Sequence, residues 1–103
     1  MKRQNIGCVK AATRIIGDKW TPIILRAFVN EDTVRFCQIQ DLAAGINPRT
    51  LSARLESLEQ QGIIERTNQN DTARSAYRLT QKGRELTPIL RDMQLWGETY
   101  PIN

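Results

Sequence analysis

A chain of 103 residues has room for one domain, and 40% apolar with 25% charged residues describes an ordinary globular one. No run is long enough to span a membrane and no signal-peptide core follows Met1-Lys2-Arg3, so a cytoplasmic location without membrane contact is expected. Fifteen Lys and Arg against eleven Asp and Glu give a net charge of +4, which favours a polyanionic partner. With no histidine and only two cysteines, the chain offers no zinc-ligand set and no Ser-His or Cys-His pair; its six glycines are scattered, so neither an enzyme nor a cofactor is expected.

Taken in order, Cys8, Ala12, Ile15 and Ile16 mark a short first helix closed by Gly17. Asp18 and Thr21-Pro22 are both plausible starts for a second helix carrying Trp20, Ile23, Ile24, Ala27 and Phe28. Leu25 and Val29 make it apolar nearly all round, which predicts a central position. Asn30-Glu31-Asp32-Thr33 reads as a turn, and a third helix follows with Phe36, Ile39, Leu42 and Ala43 inward. Ala44-Gly45-Ile46 is a tight connection to the next helix, and two helices joined this way have helix-turn-helix grammar.

That next helix opens on Asn47-Pro48, an N-cap followed by proline at the first helical position, where the missing N–H costs nothing. Leu51, Leu55 and Leu58 form its apolar stripe, and Gly62 terminates it. The opposite face carries Arg49, Thr50, Ala53, Ser57 and Gln60, with Ser52 and Arg54 on the flanks. Glu56 lies toward the same face and would meet phosphates unfavourably, so only the N-terminal half is expected to enter a groove. Ile63 to Thr67 and Ser75 to Thr80, on either side of the polar run Asn68 to Thr72, read as a β-hairpin. A helix with a basic, hydroxyl-bearing start beside such a hairpin suits double-stranded DNA.

Thr80 caps the last helical stretch, expected over 81–100, with Leu86, Ile89, Leu90, Met93, Trp96 and Tyr100 on one side. Pro88 should kink or divide it. So wide an apolar and aromatic face on a small domain wants a second surface, and a twofold dimer is the favoured occupant. The expected fold class is mainly α with a small β-hairpin wing (α+β), a winged helix-turn-helix with an added C-terminal dimerisation helix.

These pieces together resemble the HxlR-type branch of the MarR-like winged-helix transcriptional regulators. The match is carried by Cys8-Val9, Ile16 to Trp20 with Ile23-Ile24-Leu25, Arg35-Phe36 before Ile39, Gly45 to Ser52 leading to Arg54-Leu55 and Leu58-Glu59, Gly62 to Arg66, Tyr77 to Thr80 with Gly83, and Trp96-Gly97. It covers roughly residues 8 to 97 of a single domain, 1–103. The resemblance implies a DNA-binding homodimer joined through its terminal helices, with the helix at Pro48 reading the operator and the hairpin as wing. Asn47, Pro48, Arg49, Thr50, Ser52 and Arg54 would then line the DNA side, with Arg74 on the wing; the helical wheel adds Ala53 to that face. Arg49 suits a guanine edge, whereas Arg54, Arg66 and Arg74 suit phosphates; a salt bridge to a neighbouring carboxylate is the competing reading for Arg54.

Two positions depart from the family pattern. Ala76 stands where an acidic residue usually precedes the wing tyrosine, and Cys37 stands where a polar residue such as asparagine usually follows Arg35-Phe36. The second puts a thiol near a helix start, a setting associated with raised reactivity. Several members of the family sense oxidants or electrophiles through a cysteine placed as Cys8 is, so Cys8 and, less so, Cys37 are the candidate sensor thiols, each weighed against a plain packed side chain. Apart from these thiols, no residue pattern identifies a small-molecule effector. The alternative to a DNA reader is a winged-helix protein–protein interaction module, which gains if the arginines prove dispersed or ion-paired.

Overall fold

The computed structural model describes residues 6–67 and 76–102. Helices α1 (Ile6–Ile16), α2 (Thr21–Arg26), α3 (Phe36–Leu42) and α4 (Pro48–Gln60) precede a short hairpin, and α5 (Gln81–Arg84) and α6 (Thr87–Thr99) follow it. The strands are β1 (Val34–Arg35), β2 (Ile64–Arg66) and β3 (Ala76–Leu79), antiparallel in the order β1-β3-β2. The sheet therefore has three strands where the sequence reading expected two. Val34 pairs with Tyr77 and Arg35 with Ala76, so β1 closes one edge of the hairpin immediately before α3 begins.

The core is built from Ile24, Leu25 and Phe28 of the α2 region, Ile39, the α4 leucines, Ile63 and Ile64, and Tyr77. Ile24, Ile39 and Leu51 are fully buried. Asp18 resolves the start of α2. Its Oδ1 accepts from the N–H groups of Trp20 and Thr21, both at 2.8 Å, and its Oδ2 from the Thr21 hydroxyl. The helix then begins at Thr21-Pro22. It is shorter than its apolar pattern suggested, and Val29 lies exposed beyond its end. Leu42, expected inward, is 49% exposed because α3 ends there, whereas Ala43 is buried as expected and Ile46 joins it in the core.

The C-terminal stretch is divided rather than kinked. Thr80 caps α5, its hydroxyl oxygen accepting from the Gly83 N–H at 3.1 Å, and α6 restarts with Pro88 in its first turn. Leu86 and Leu90, assigned from the sequence to a dimer surface, pack into the protomer's own core at 9% and 8% exposure. The helical wheel could not tell which edge of the stripe this domain would take. What remains outside is Ile89, Met93, Trp96 and Tyr100, 46–66% exposed, with the Trp96 and Tyr100 rings 5.3 Å apart. No described helix is long and apolar enough to cross a membrane.

Candidate nucleic-acid interface

The turn between α3 and α4 is set by Gly45, whose φ of +91° is a left-handed conformation costly for any residue with a Cβ. Ile46 plugs that turn into the core at 5% exposure, which fixes where α4 starts. Asn47 then caps α4: its side-chain oxygen accepts from the Arg49 N–H at 2.7 Å, while its backbone carbonyl accepts the first helical bond, from Leu51. Leu51, Leu55 and Leu58 are buried to 3% or less, pinning the rotation of the helix. The outward side therefore carries Asn47, Pro48, Arg49, Ser52 and Ala53, all exposed, with Glu56 and Gln60 further along.

Thr50 and Arg54 are only partly exposed, and Arg54 is turned toward the α1–α2 corner. The Arg54 guanidinium lies 3.5 Å from the Asp18 carboxylate that caps α2. Burial pushes the Asp18 carboxyl up. The Thr21 side-chain and backbone bonds, the Trp20 N–H and the Arg54 charge outweigh this, leaving it below its ordinary value of 3.8. Arg66 is likewise committed: it lies on the inner face of β2, 3.2 Å from Glu59 of α4. The Tyr77 ring it covers is 2% exposed, and burial raises that phenol, with the Arg66 charge opposing and Glu59 adding to the shift. Arg54 and Arg66, proposed from the sequence as phosphate contacts, are thus ion-paired within the protomer. Arg74 lies outside the described residues. Among the described residues Arg49 is paired with no carboxylate, so the exposed cation of the helix start is this one.

Sequence reasoning missed Arg35 and Gln38. The Gln38 side chain accepts the Arg35 N–H at 2.8 Å, a cap on α3 whose signal was glutamine three residues after the cap position. It also missed the third strand, which puts Arg35 on the exposed edge of the sheet beside α3. On the outer sheet face Arg78 pairs with Glu65 at 2.6 Å. Both thiols are exposed, Cys8 on α1 and Cys37 on α3, so neither is packed into the core.

Comparisons with known proteins agree with this architecture. Residues 15–102 match the family described as HxlR-like helix-turn-helix. The uncharacterized HTH-type transcriptional regulator YdeP of Bacillus subtilis is 35% identical, the match spanning 91% of this chain and 74% of that protein. The transcriptional regulator YodB of the same organism is 30% identical over 93% of this chain and 88% of its own length. YodB structures described as reduced, diamide-treated and quinone-bound superpose with TM-scores of 0.74, 0.70 and 0.75 at 27–28% identity, covering 98%, 91% and 89% of this chain and 96%, 93% and 96% of theirs. The redox regulator HypR in its oxidized form superposes at 0.83, with 30% identity, 92% of this chain and 98% of that one. With its family model matched over residues 15–102 and relatives at 30–35% identity along most of their length, the chain belongs to the HxlR-like helix-turn-helix transcriptional regulators.

Proposed function

We propose that two copies of this chain, joined through the exposed stripe of α6, read an operator with the N-terminal turns of α4. The observation that carries the reading is the contrast along α4, where Arg49 stands exposed beside Asn47, Ser52 and Ala53 while the neighbouring arginine is held by Asp18. Arg49 presents a planar fork suited to the O6 and N7 acceptors of a guanine, and Ser52 suits either a base edge or a phosphate. Asn47 and the first helical N–H groups suit a phosphate at the groove edge. Arg74 of the wing is the further candidate for a phosphate contact. The ion pairs at Arg54 and Arg66 reduce the cationic surface but leave its centre at Arg49.

Cys8 is the proposed sensor. Structures of the similar regulators HypR and YodB carry the descriptions oxidized, diamide-treated and quinone-bound, and in this chain the Cys8 thiol is exposed. With diamide, two Cys8 thiols from two chains would lose two electrons and two protons to the reagent and form one interchain S–S bond. Joining two first helices would alter the spacing of the two α4 helices and with it operator affinity. Selection of bound duplexes from a randomised pool, with and without diamide, tests the whole reading. One enriched sequence with twofold symmetry is expected, its recovery changed by diamide in the wild type but not in Cys8→Ser. Recovery of no preferred sequence would overturn it.

A further inference from the structure

The Arg66 side chain occupies an unusual place for a winged-helix cation. It points inward from β2, its guanidinium 5.5 Å from the centre of the Tyr77 ring and 3.2 Å from a Glu59 carboxylate oxygen. Its Nε is buried and finds no hydrogen-bond partner among the described residues. Part-burying an arginine with its Nε unsatisfied has a cost that an apolar side chain at this inner-face position would not carry. What the arginine supplies instead is direction, because the Tyr77 ring bounds one side of the guanidinium and the Glu59 carboxylate holds its Nη2 end.

The location gives that direction a purpose. Glu59 sits in the last turn of α4, the helix whose opposite end carries Arg49. Arg66 is the last residue of β2, and one residue further the Thr67 N–H and hydroxyl both donate to the Ala76 carbonyl, at 2.8 and 3.0 Å. The chain between α4 and β2 is only Gln61-Gly62-Ile63, turned by the +76° φ of Gly62. That turn holds the near end of β2 against the helix, and the Glu59–Arg66 pair holds the far end. Ile63, Ile64 and Tyr77 hold the base of the hairpin in the core, and the Glu59–Arg66 pair adds a tie further out along β2. We infer that Glu59 and Arg66 are positioning residues for DNA binding: their ion pair, beside the Tyr77 ring, holds the wing at a set angle to the reading helix so that both reach the duplex together.

This rests on the reading of α4 and the wing as the DNA surface, and one titration series separates the two claims. A fluorescein-labelled duplex of mixed sequence is titrated by anisotropy with wild type, Arg49→Ala, Glu59→Gln, Arg66→Met, Arg66→Lys and the Glu59→Gln/Arg66→Met double variant, across a range of salt. Melting curves first verify that each variant is folded at the assay temperature. Glu59→Gln and Arg66→Met should each weaken binding by about fivefold, and the double variant by no more than either alone, since both remove one link. Glu59→Gln should also flatten the plot of log affinity against log salt by about one counterion, although it makes the protein more positive. Arg66→Lys, which keeps the charge near Glu59, should recover part of the loss. If Arg66 instead touches a phosphate, Glu59→Gln strengthens binding while Arg66→Met weakens it, and the inference fails. It fails too if affinity drops with the salt slope unchanged, because then only stability has changed. Loss in Arg49→Ala with none in the Glu59 variant rejects the positioning role alone. No loss in either rejects the DNA surface itself.

Discussion

The Arg54 guanidinium of α4 lies 3.5 Å from Asp18, the same carboxylate that accepts the Trp20 and Thr21 N–H groups at the start of α2. One side chain therefore starts one helix and anchors another. Asp18→Asn keeps the shape but removes the charge facing Arg54 and one acceptor of the Thr21 hydroxyl, and it should cost about 1 kcal/mol of stability at neutral pH. The pH dependence has a definite sign. Asp18 is held below its ordinary value of 3.8, so the folded state binds its proton less tightly than the unfolded one. Its contribution is fully present above that value and is lost as pH falls through the lower, folded-state pKa. Thermal melts of wild type and Asp18→Asn should converge in acid and separate by neutral pH; a constant gap would show that the carboxylate charge is not what matters.

Gly83 offers a test in which the usual helix rule reverses. Replacing a helical glycine by alanine ordinarily stabilises by about 1 kcal/mol. Here a Cβ would lie 2.1 Å from the Ile63 carbonyl oxygen, because α5 crosses directly over the start of β2. That oxygen is backbone and already accepts the Thr80 N–H at 3.0 Å, so it cannot move aside freely. Gly83→Ala should instead destabilise by about 1–3 kcal/mol, read from urea midpoints. An unchanged or higher midpoint would mean that α5 sits further from the sheet.

What could be read in the sequence was what local residues decide. Asn47-Pro48, the leucine stripe and Gly62 together specify α4 without reference to the rest of the chain. Strand β1 escaped notice because Val34-Arg35 becomes a strand only by pairing with Tyr77 and Ala76, far along the chain. The candidate surface divides the same way. Arg49 was legible, being placed by the cap beside it, but Arg54 and Arg66 look alike in sequence whether free or paired. Their partners, Asp18 and Glu59, are brought in by tertiary packing. A periodic stripe likewise shows that Leu86, Ile89, Leu90 and Met93 share a side, not that the core claims Leu86 and Leu90.

Arg49 and Arg54 should therefore part company on substitution. Arg49→Ala should leave the melting temperature unchanged and remove about 1–3 kcal/mol of discrimination between a selected duplex and one altered at a single guanine. Arg49→Lys should restore general affinity but not that discrimination, since an ammonium lacks the two-pronged fork. Arg54→Ala should lower the melting temperature slightly and leave the preference intact. Competition anisotropy with the two duplexes measures both quantities. Equal loss of preference in the two alanine variants would place the groove contact across the whole flank of the helix instead of at its tip.

Leu90 and Trp96 both lie on α6, yet their substitutions should be felt by different equilibria. Leu90 is 8% exposed and packs within the protomer, so Leu90→Ala should cost about 2–5 kcal/mol of stability at every protein concentration. Trp96 is 66% exposed and packs on Tyr100, beside Met93 on the stripe assigned to the second copy. Buried aromatic anchors at interfaces commonly carry about 2–4 kcal/mol each, so Trp96→Asp should weaken self-association by about 30-fold or more. In sedimentation the wild type should then run as a dimer at micromolar concentration and Trp96→Asp as a monomer. Melting of the wild type should depend on concentration and that of the variant should not, because only association ties stability to mass action. A Trp96→Asp protein that sediments as the wild type does would remove α6 from the interface, and with it the means proposed here for spacing the two reading helices.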